Sequence, residues 1–105
     1  MKQSECLGVN QQGHLTIGGC DTVLLAEQYG TPLYVMDEEG IRAACRSYRS
    51  SIDRFYGGRG MVCYASKAFC CKEICRIMDA EQMGLDVVSE GCEPGYYHWT
   101  QWAFQ

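Results

Sequence analysis

At 105 residues and 11.8 kDa the sequence holds one compact domain at most and excludes a large multidomain enzyme, since a single core is typically reached at about 100–150 residues. Hydrophobic residues make up 47% and charged residues 21%, a globular balance that excludes a chain unable to offset its ordering entropy. Nine Lys and Arg against thirteen Asp and Glu give a net charge of -4, which leaves no electrostatic footprint for phosphate backbones or anionic lipid, so no nucleic-acid and no membrane partner is expected.

Residues 1–13 are polar and without periodicity, and a loose lead-in is expected there. The alternating run at 14–19, closed by Gly18-Gly19, predicts a strand and turn. Asp21 then caps a helix over 22–29, with Gly30 where a left-handed residue is wanted and Thr31-Pro32 stopping it. The apolar run at 33–36 predicts a short buried strand, and Asp37 is the next cap, with Glu38 and Glu39 at the positive end of the helix dipole.

From Ile41 the apolar residues Ala44, Cys45, Tyr48, Ile52 and Phe55 form one stripe of an amphipathic helix. Arg42, Arg46, Arg49 and Asp53 fall on its other side, read as a solvated face, with an interdomain contact in a longer parent as the alternative. The Gly57-Gly58-Arg59-Gly60 cluster ends this helix. It precedes a strand instead of opening a helix, so it is a turn and not a phosphate loop. An apolar strand over 61–65 follows. A helix beginning near Phe69 and carrying Cys71, Ile74, Cys75 and Met78 on one stripe closes near Gly84, and a strand over 85–89 completes the pattern. Strand, helix, strand within about thirty residues is the signature of a parallel unit, so the expected fold class is α/β. The aromatic stretch 92–105 shows neither period 2 nor period 3.6 and reads as a divergent tail.

Eight cysteines raise the question of compartment. The first residues lack the apolar run of a signal peptide, and no stretch approaches the ~20 apolar residues of a membrane span, so a cytoplasmic chain with reduced thiols is expected. A zinc module built from Cys70, Cys71, Cys75, Cys92 and His98 is the competing reading. Paired Cys-x-x-Cys knuckles are missing, and Cys71 and Cys75 share the stripe of Ile74 and Met78, which favours buried helix cysteines and no metal. His14 and His98 have no catalytic partner nearby in sequence, so solvated or capping roles are expected.

Lys67 directly follows the strand at 61–65, at the carboxyl end where parallel α/β sheets place reactive groups. A partly desolvated amine there can capture an aldehyde, although position alone fits a surface lysine better. The strings YASKAF at 64–69, GLDVVSEG at 84–91 and TPLYVMDEEGIR upstream change that balance. Together they resemble, over residues 14–91, the amino-terminal part of the fold type III pyridoxal-phosphate decarboxylases acting on ornithine, diaminopimelate and arginine. Ala68-Phe69 after the lysine is most similar to the diaminopimelate branch, with the carboxynorspermidine and ornithine types as alternatives.

The resemblance implies the amino-terminal portion of an alanine-racemase-like TIM barrel. It implies pyridoxal 5'-phosphate as cofactor, an amino-acid substrate and a homodimeric parent. It also implies that Lys67 carries the cofactor and that Asp86 lies near it; from the residues alone, a solvated or capping Asp86 is as good a reading. After Ser89-Glu90-Gly91 the sequence departs from the family's Ser-x-Gly-Glu-Leu string, and a whole barrel of this kind needs roughly 250 residues. A truncated or frame-altered piece, inactive alone, is therefore expected. Small cofactor-binding relatives without decarboxylase activity also need the whole barrel.

Overall fold

In the computed structural model, which describes residues 6–87, the chain opens on a three-stranded antiparallel sheet: β1 (Leu7–Val9), β2 (Leu15–Ile17) and β3 (Cys20–Asp21), in that order. Leu7 faces Ile17, and Ile17 in turn faces Cys20. Only Gly18 and Gly19 separate the β2–β3 pair, with φ of 57° and 81°, the doubly left-handed turn that a two-residue hairpin demands. The first turn is built by Asn10, whose side-chain oxygen accepts from the amides of Gln12 and His14. Strand β1 thus stands in the stretch expected to be a loose lead-in, with a polar turn in place of hydrophobic patterning to set its register.

Helix α1 (Thr22–Tyr29) starts and stops as its sequence dictates. The Asp21 carboxylate accepts from the amides of Val23 and Leu24, and the Gly30 amide, at φ 81°, donates to the Ala26 carbonyl. The strand expected over 33–36 does not form. All four residues are exposed, and neither sheet of the described residues includes them. An apolar run becomes a strand only where a neighbour offers it hydrogen bonds.

The chain divides into two compact units, residues 1–41 and 42–105. Helix α2 (Glu38–Tyr56) begins at the end of the first and continues through the second. Asp37 caps it by accepting from the Gly40 amide, and Gly57 and Gly58 end it with positive φ. Within the second unit β4 (Cys63–Ala65), α3 (Lys72–Ala80) and β5 (Gly84–Asp86) follow, and β4 pairs with β5 in parallel, Cys63 opposite Gly84 and Ala65 opposite Asp86. The expected strand–helix–strand unit is therefore present, in a mixed α/β chain. Its core is Cys45, Ile74, Cys75, Ile77, Met78, Met83 and Leu85. Burying aliphatic side chains of this size stabilises the fold by about 1.5–3 kcal/mol each, an upper estimate against a compact unfolded chain.

Three details correct the sequence reading. Helix α3 begins at Lys72, not near Phe69, because Ala68 turns back to Ala65 and Cys71 takes the cap position. It closes at Gln82, not Gly84: the Met83 amide donates to the Met78 carbonyl and the Gln82 amide to that of Asp79, a Schellman turn whose left-handed position is occupied by glutamine at φ 57°. On α2, Tyr48 and Phe55 are exposed and only Cys45 of the stripe is buried. The arginine side instead meets the end of α3, where Arg42 and Arg46 each approach the Glu81 carboxylate to 3.1 Å and Arg49 donates to the Gln82 carbonyl at 3.4 Å.

Candidate active site at the carboxyl end of the parallel pair

Strands β4 and β5 run side by side and both finish at the same edge, so their carboxyl ends bring residues from two separate motifs together. Ala65 lies opposite Asp86 in the last register pair. One residue beyond, the Ser66 amide donates to the Asp86 carbonyl at 3.0 Å and the Ser66 hydroxyl donates to the same oxygen at 2.7 Å. Ser66 is 3% exposed, the buried polar residue of this unit among those described. Lys67 comes next, exposed, at the crest of a tight turn closed by the Ala68 amide on the Ala65 carbonyl at 3.1 Å. From the strand behind it the Tyr64 hydroxyl donates to the Phe69 carbonyl at 2.9 Å.

Both residues singled out from sequence thus stand at one sheet end. Lys67 presents its amine on the turn after β4. Asp86, also exposed, is the last residue of β5 and neither a helix cap nor a core residue. Alternation along the strands places Asp86 with Gly84 on the side opposite Leu85, which is 3% exposed and forms the covered side. A carboxylate and an amine on adjacent strand ends can hold a polar aldehyde-bearing group between them, the amine as the nucleophile and the carboxylate as a counter-charge or hydrogen-bond acceptor. Tyr64 and Ser66 were not singled out in the sequence. A tyrosine in a strand and a serine just after it carry no signal of their own until the backbone they bond to is known.

Other polar clusters are built from different residues. A shallow groove of about 280 Å³ is bordered by Arg46, Arg49, Asp53 and Glu81, and neither Lys67 nor Asp86 lines it. The two arginines hold the Glu81 carboxyl below its ordinary value, by hydrogen bonds from Arg42 first and Arg46 second. Burial, and then the Glu81 charge, push the Cys45 thiol up. His14 belongs to a capping cluster, 2.8 Å from the Asp21 carboxylate, and this contact is the main reason that carboxyl titrates below the ordinary range. Among the described residues no three His, Cys, Asp or Glu side chains are grouped as a metal ion requires, and none of the seven described cysteines is in a disulfide. Cys75 is buried on α3, Cys71 is half-buried at its cap, and Cys92 and His98 lie outside the described residues, as does the tail they belong to. No described helix is long and apolar enough to cross a membrane.

Comparison with known proteins gives these residues a setting. A diaminopimelate decarboxylase of Synechocystis sp. is 46% identical over 83 residues, 79% of this chain and 18% of the relative. One from Bacillus methanolicus is 47% identical over 79% of this chain and 19% of its own length. One from Methanothermobacter thermautotrophicus is 48% identical over the same shares. Over 79% of its length this chain is similar to diaminopimelate decarboxylases. It spans under a fifth of the length of these curated decarboxylases, and no family model matches it.

Proposed function

We propose that the chain is the amino-terminal part of a pyridoxal-phosphate-dependent diaminopimelate decarboxylase, the cytoplasmic lyase that converts meso-diaminopimelate to L-lysine and carbon dioxide. The observation that carries this reading is the agreement of sequence kinship with position. A chain 46–48% identical to three such decarboxylases has its YASKAF lysine on a tight turn at the carboxyl end of a parallel pair. The two parallel strands are consistent with the first part of an alanine-racemase-like TIM barrel whose remainder, with its homodimeric partner, completes the site. That the three relatives named above are diaminopimelate decarboxylases favours this amino-acid substrate over ornithine or carboxynorspermidine.

The residues present fit part of the cofactor. Lys67 offers an accessible primary amine for covalent attachment, and Asp86 a carboxylate at the neighbouring strand end. Pyridoxal phosphate, when bound, supplies the electron sink that lets carbon dioxide leave the α-carbon. The chain's own residues would anchor and orient it: Lys67 would hold the cofactor through its amine and Asp86 would offer a carboxylate to its polar atoms, while the strand pair sets the spacing of the two residues.

The test uses the 105-residue chain. Incubation with pyridoxal phosphate, borohydride reduction and peptide mapping should place the adduct on Lys67 in preference to Lys2 and Lys72. Equal labelling of the three lysines would overturn the assignment. The same chain given meso-diaminopimelate and cofactor is expected to release no carbon dioxide at an enzyme-like rate, and turnover at such a rate would refute its expected inactivity.

A further inference from the structure

We infer that Ser66 and Tyr64 are positioning residues for Lys67, a pair of hydroxyl clamps of which Ser66 ties the lysine turn to the end of β5 and Tyr64 ties its far side back to β4; the inference rests on the cofactor reading of Lys67 for its purpose, though not for its geometry. The turn is held from both sides. On its amino side the Asp86 carbonyl already accepts the Ser66 amide, the next rung of the parallel ladder, at 3.0 Å. The Ser66 hydroxyl adds a second, shorter bond to that same oxygen, at 2.7 Å. A carbonyl has two lone pairs, so the Asp86 oxygen accepts both bonds, and the buried hydroxyl finds its acceptor there. The residue preceding Lys67 is thus tied to the backbone of Asp86 twice, by its main chain and by its side chain.

On the carboxyl side, Tyr64 reaches from β4 past the turn to the Phe69 carbonyl at 2.9 Å. Residues 65–69 are thereby closed into a short loop between two side-chain bonds, with the Ala68–Ala65 hydrogen bond inside it and Lys67 at its crest. Of the two clamps Ser66 is buried and Tyr64 half-buried, so the Ser66 bond is the better shielded from competing water. A reactive amine is useful only when its position relative to its partners is fixed to a fraction of an ångström, and here the fixed partner is the strand that carries Asp86.

The experiment compares the full 105-residue chain with Ser66→Ala, Ser66→Thr and Tyr64→Phe. One readout is amide hydrogen exchange at residue 66 and Ala68, whose amides are the hydrogen-bonded ones of the turn, with Ile77 and Met78 of α3 as controls for global stability. The other is the ratio of reductive pyridoxal-phosphate labelling at Lys67 to that at Lys72, followed across pH. Loss of the Ser66 hydroxyl should speed exchange at residue 66 and Ala68, and lower the labelling ratio, by about fivefold, the factor equivalent to roughly 1 kcal/mol for one hydrogen bond. The control amides should not move. Tyr64→Phe should act in the same direction, and Ser66→Thr, which keeps the hydroxyl, should stay within about twofold of the parent.

Exchange at residue 66 and Ala68 that is unchanged in both hydroxyl-deleted variants overturns the inference. A change shared equally by the control amides means a merely structural role and also overturns it. Should Ser66→Ala fail to fold, Tyr64→Phe alone decides. Absence of any Lys67 preference in the parent chain would sink the cofactor reading, while exchange would still decide whether the clamps hold the turn.

Discussion

A Cβ placed on Gly84 would lie 2.6 Å from the Cys63 sulfur and 3.4 Å from both Sδ and Cε of Met61. The first strand pair of the parallel sheet therefore closes only because the smaller partner of the Cys63–Gly84 register pair has no side chain. Gly84→Ala is expected to destabilise the chain by about 1–3 kcal/mol, toward the lower end because Cys63 is exposed and can rotate. Combining it with Cys63→Ala should recover much of the loss, and urea denaturation of the two single and one double variant measures this coupling. Gln82 presents the opposite case. Its φ of 57° is strained for any residue with a Cβ, yet the Schellman bonds at both its flanks and the Arg49 contact on its carbonyl hold it there. Gln82→Gly relieves that strain and should raise stability by about 0.5–1 kcal/mol after the extra chain entropy of glycine is set against it. A lowered urea midpoint in Gln82→Gly would contradict this account.

At the scale of elements, the contact between α2 and the end of α3 depends on one carboxylate. Glu81 accepts from both Arg42 and Arg46, which keeps its folded titration below the ordinary value of 4.5. A carboxyl depressed on folding adds stability that is present above its unfolded value and disappears as pH falls through the folded one. The urea midpoint of the chain should therefore fall as the pH drops below the ordinary carboxyl value of 4.5, and Glu81→Gln should start lower at neutral pH and show a shallower fall. An acid profile unchanged by Glu81→Gln would remove the arginines from this role. The same contact shows which parts of the fold were legible. Where one residue type fixes local geometry the sequence spoke clearly: Asp21 and Gly30 bracket α1, Asp37 opens α2, Gly57 and Gly58 close it, and Lys67 follows its strand. Where the partner is distant it did not. Arg42, Arg46 and Arg49 read as a solvated face because Glu81 and Gln82 are more than thirty positions away. Gln82 hid the end of α3 because glutamine is not a residue of left-handed turns. Ser66 hid its two hydrogen bonds to the Asp86 carbonyl, twenty positions off, because a serine after a strand signals nothing by type.

At the scale of the whole chain, the apolar residues that remain outside its core set its behaviour. Leu33, Tyr34, Val35 and Met36 form an apolar run with a strand's composition and no strand partner, Tyr34 being 94% exposed. Tyr48 and Phe55 on α2 are 61% and 70% exposed. The parallel sheet has two strands, fewer than the three or so that an independently stable sheet needs, so each of its strands also presents an open edge among the described residues. Single exposed apolar residues are ordinary on protein surfaces, but four in succession, and separately the unpaired edges of a two-stranded sheet, are each a template for pairing with another chain. The expected behaviour of the isolated 105 residues is therefore self-association that grows with concentration, visible as rising mass in size-exclusion chromatography with light scattering and as binding of a hydrophobic dye. Placing lysines at two adjacent positions, Tyr34→Lys with Val35→Lys, puts charge on both sides of an extended segment and should shift the distribution toward monomer without changing the Glu81-dependent acid profile. Gly84→Ala, which loosens the parallel pair instead of charging the apolar run, should move it the other way. A chain that stays monomeric at every concentration, with or without the lysines, would show that residues 33–36 find cover within these 105 residues.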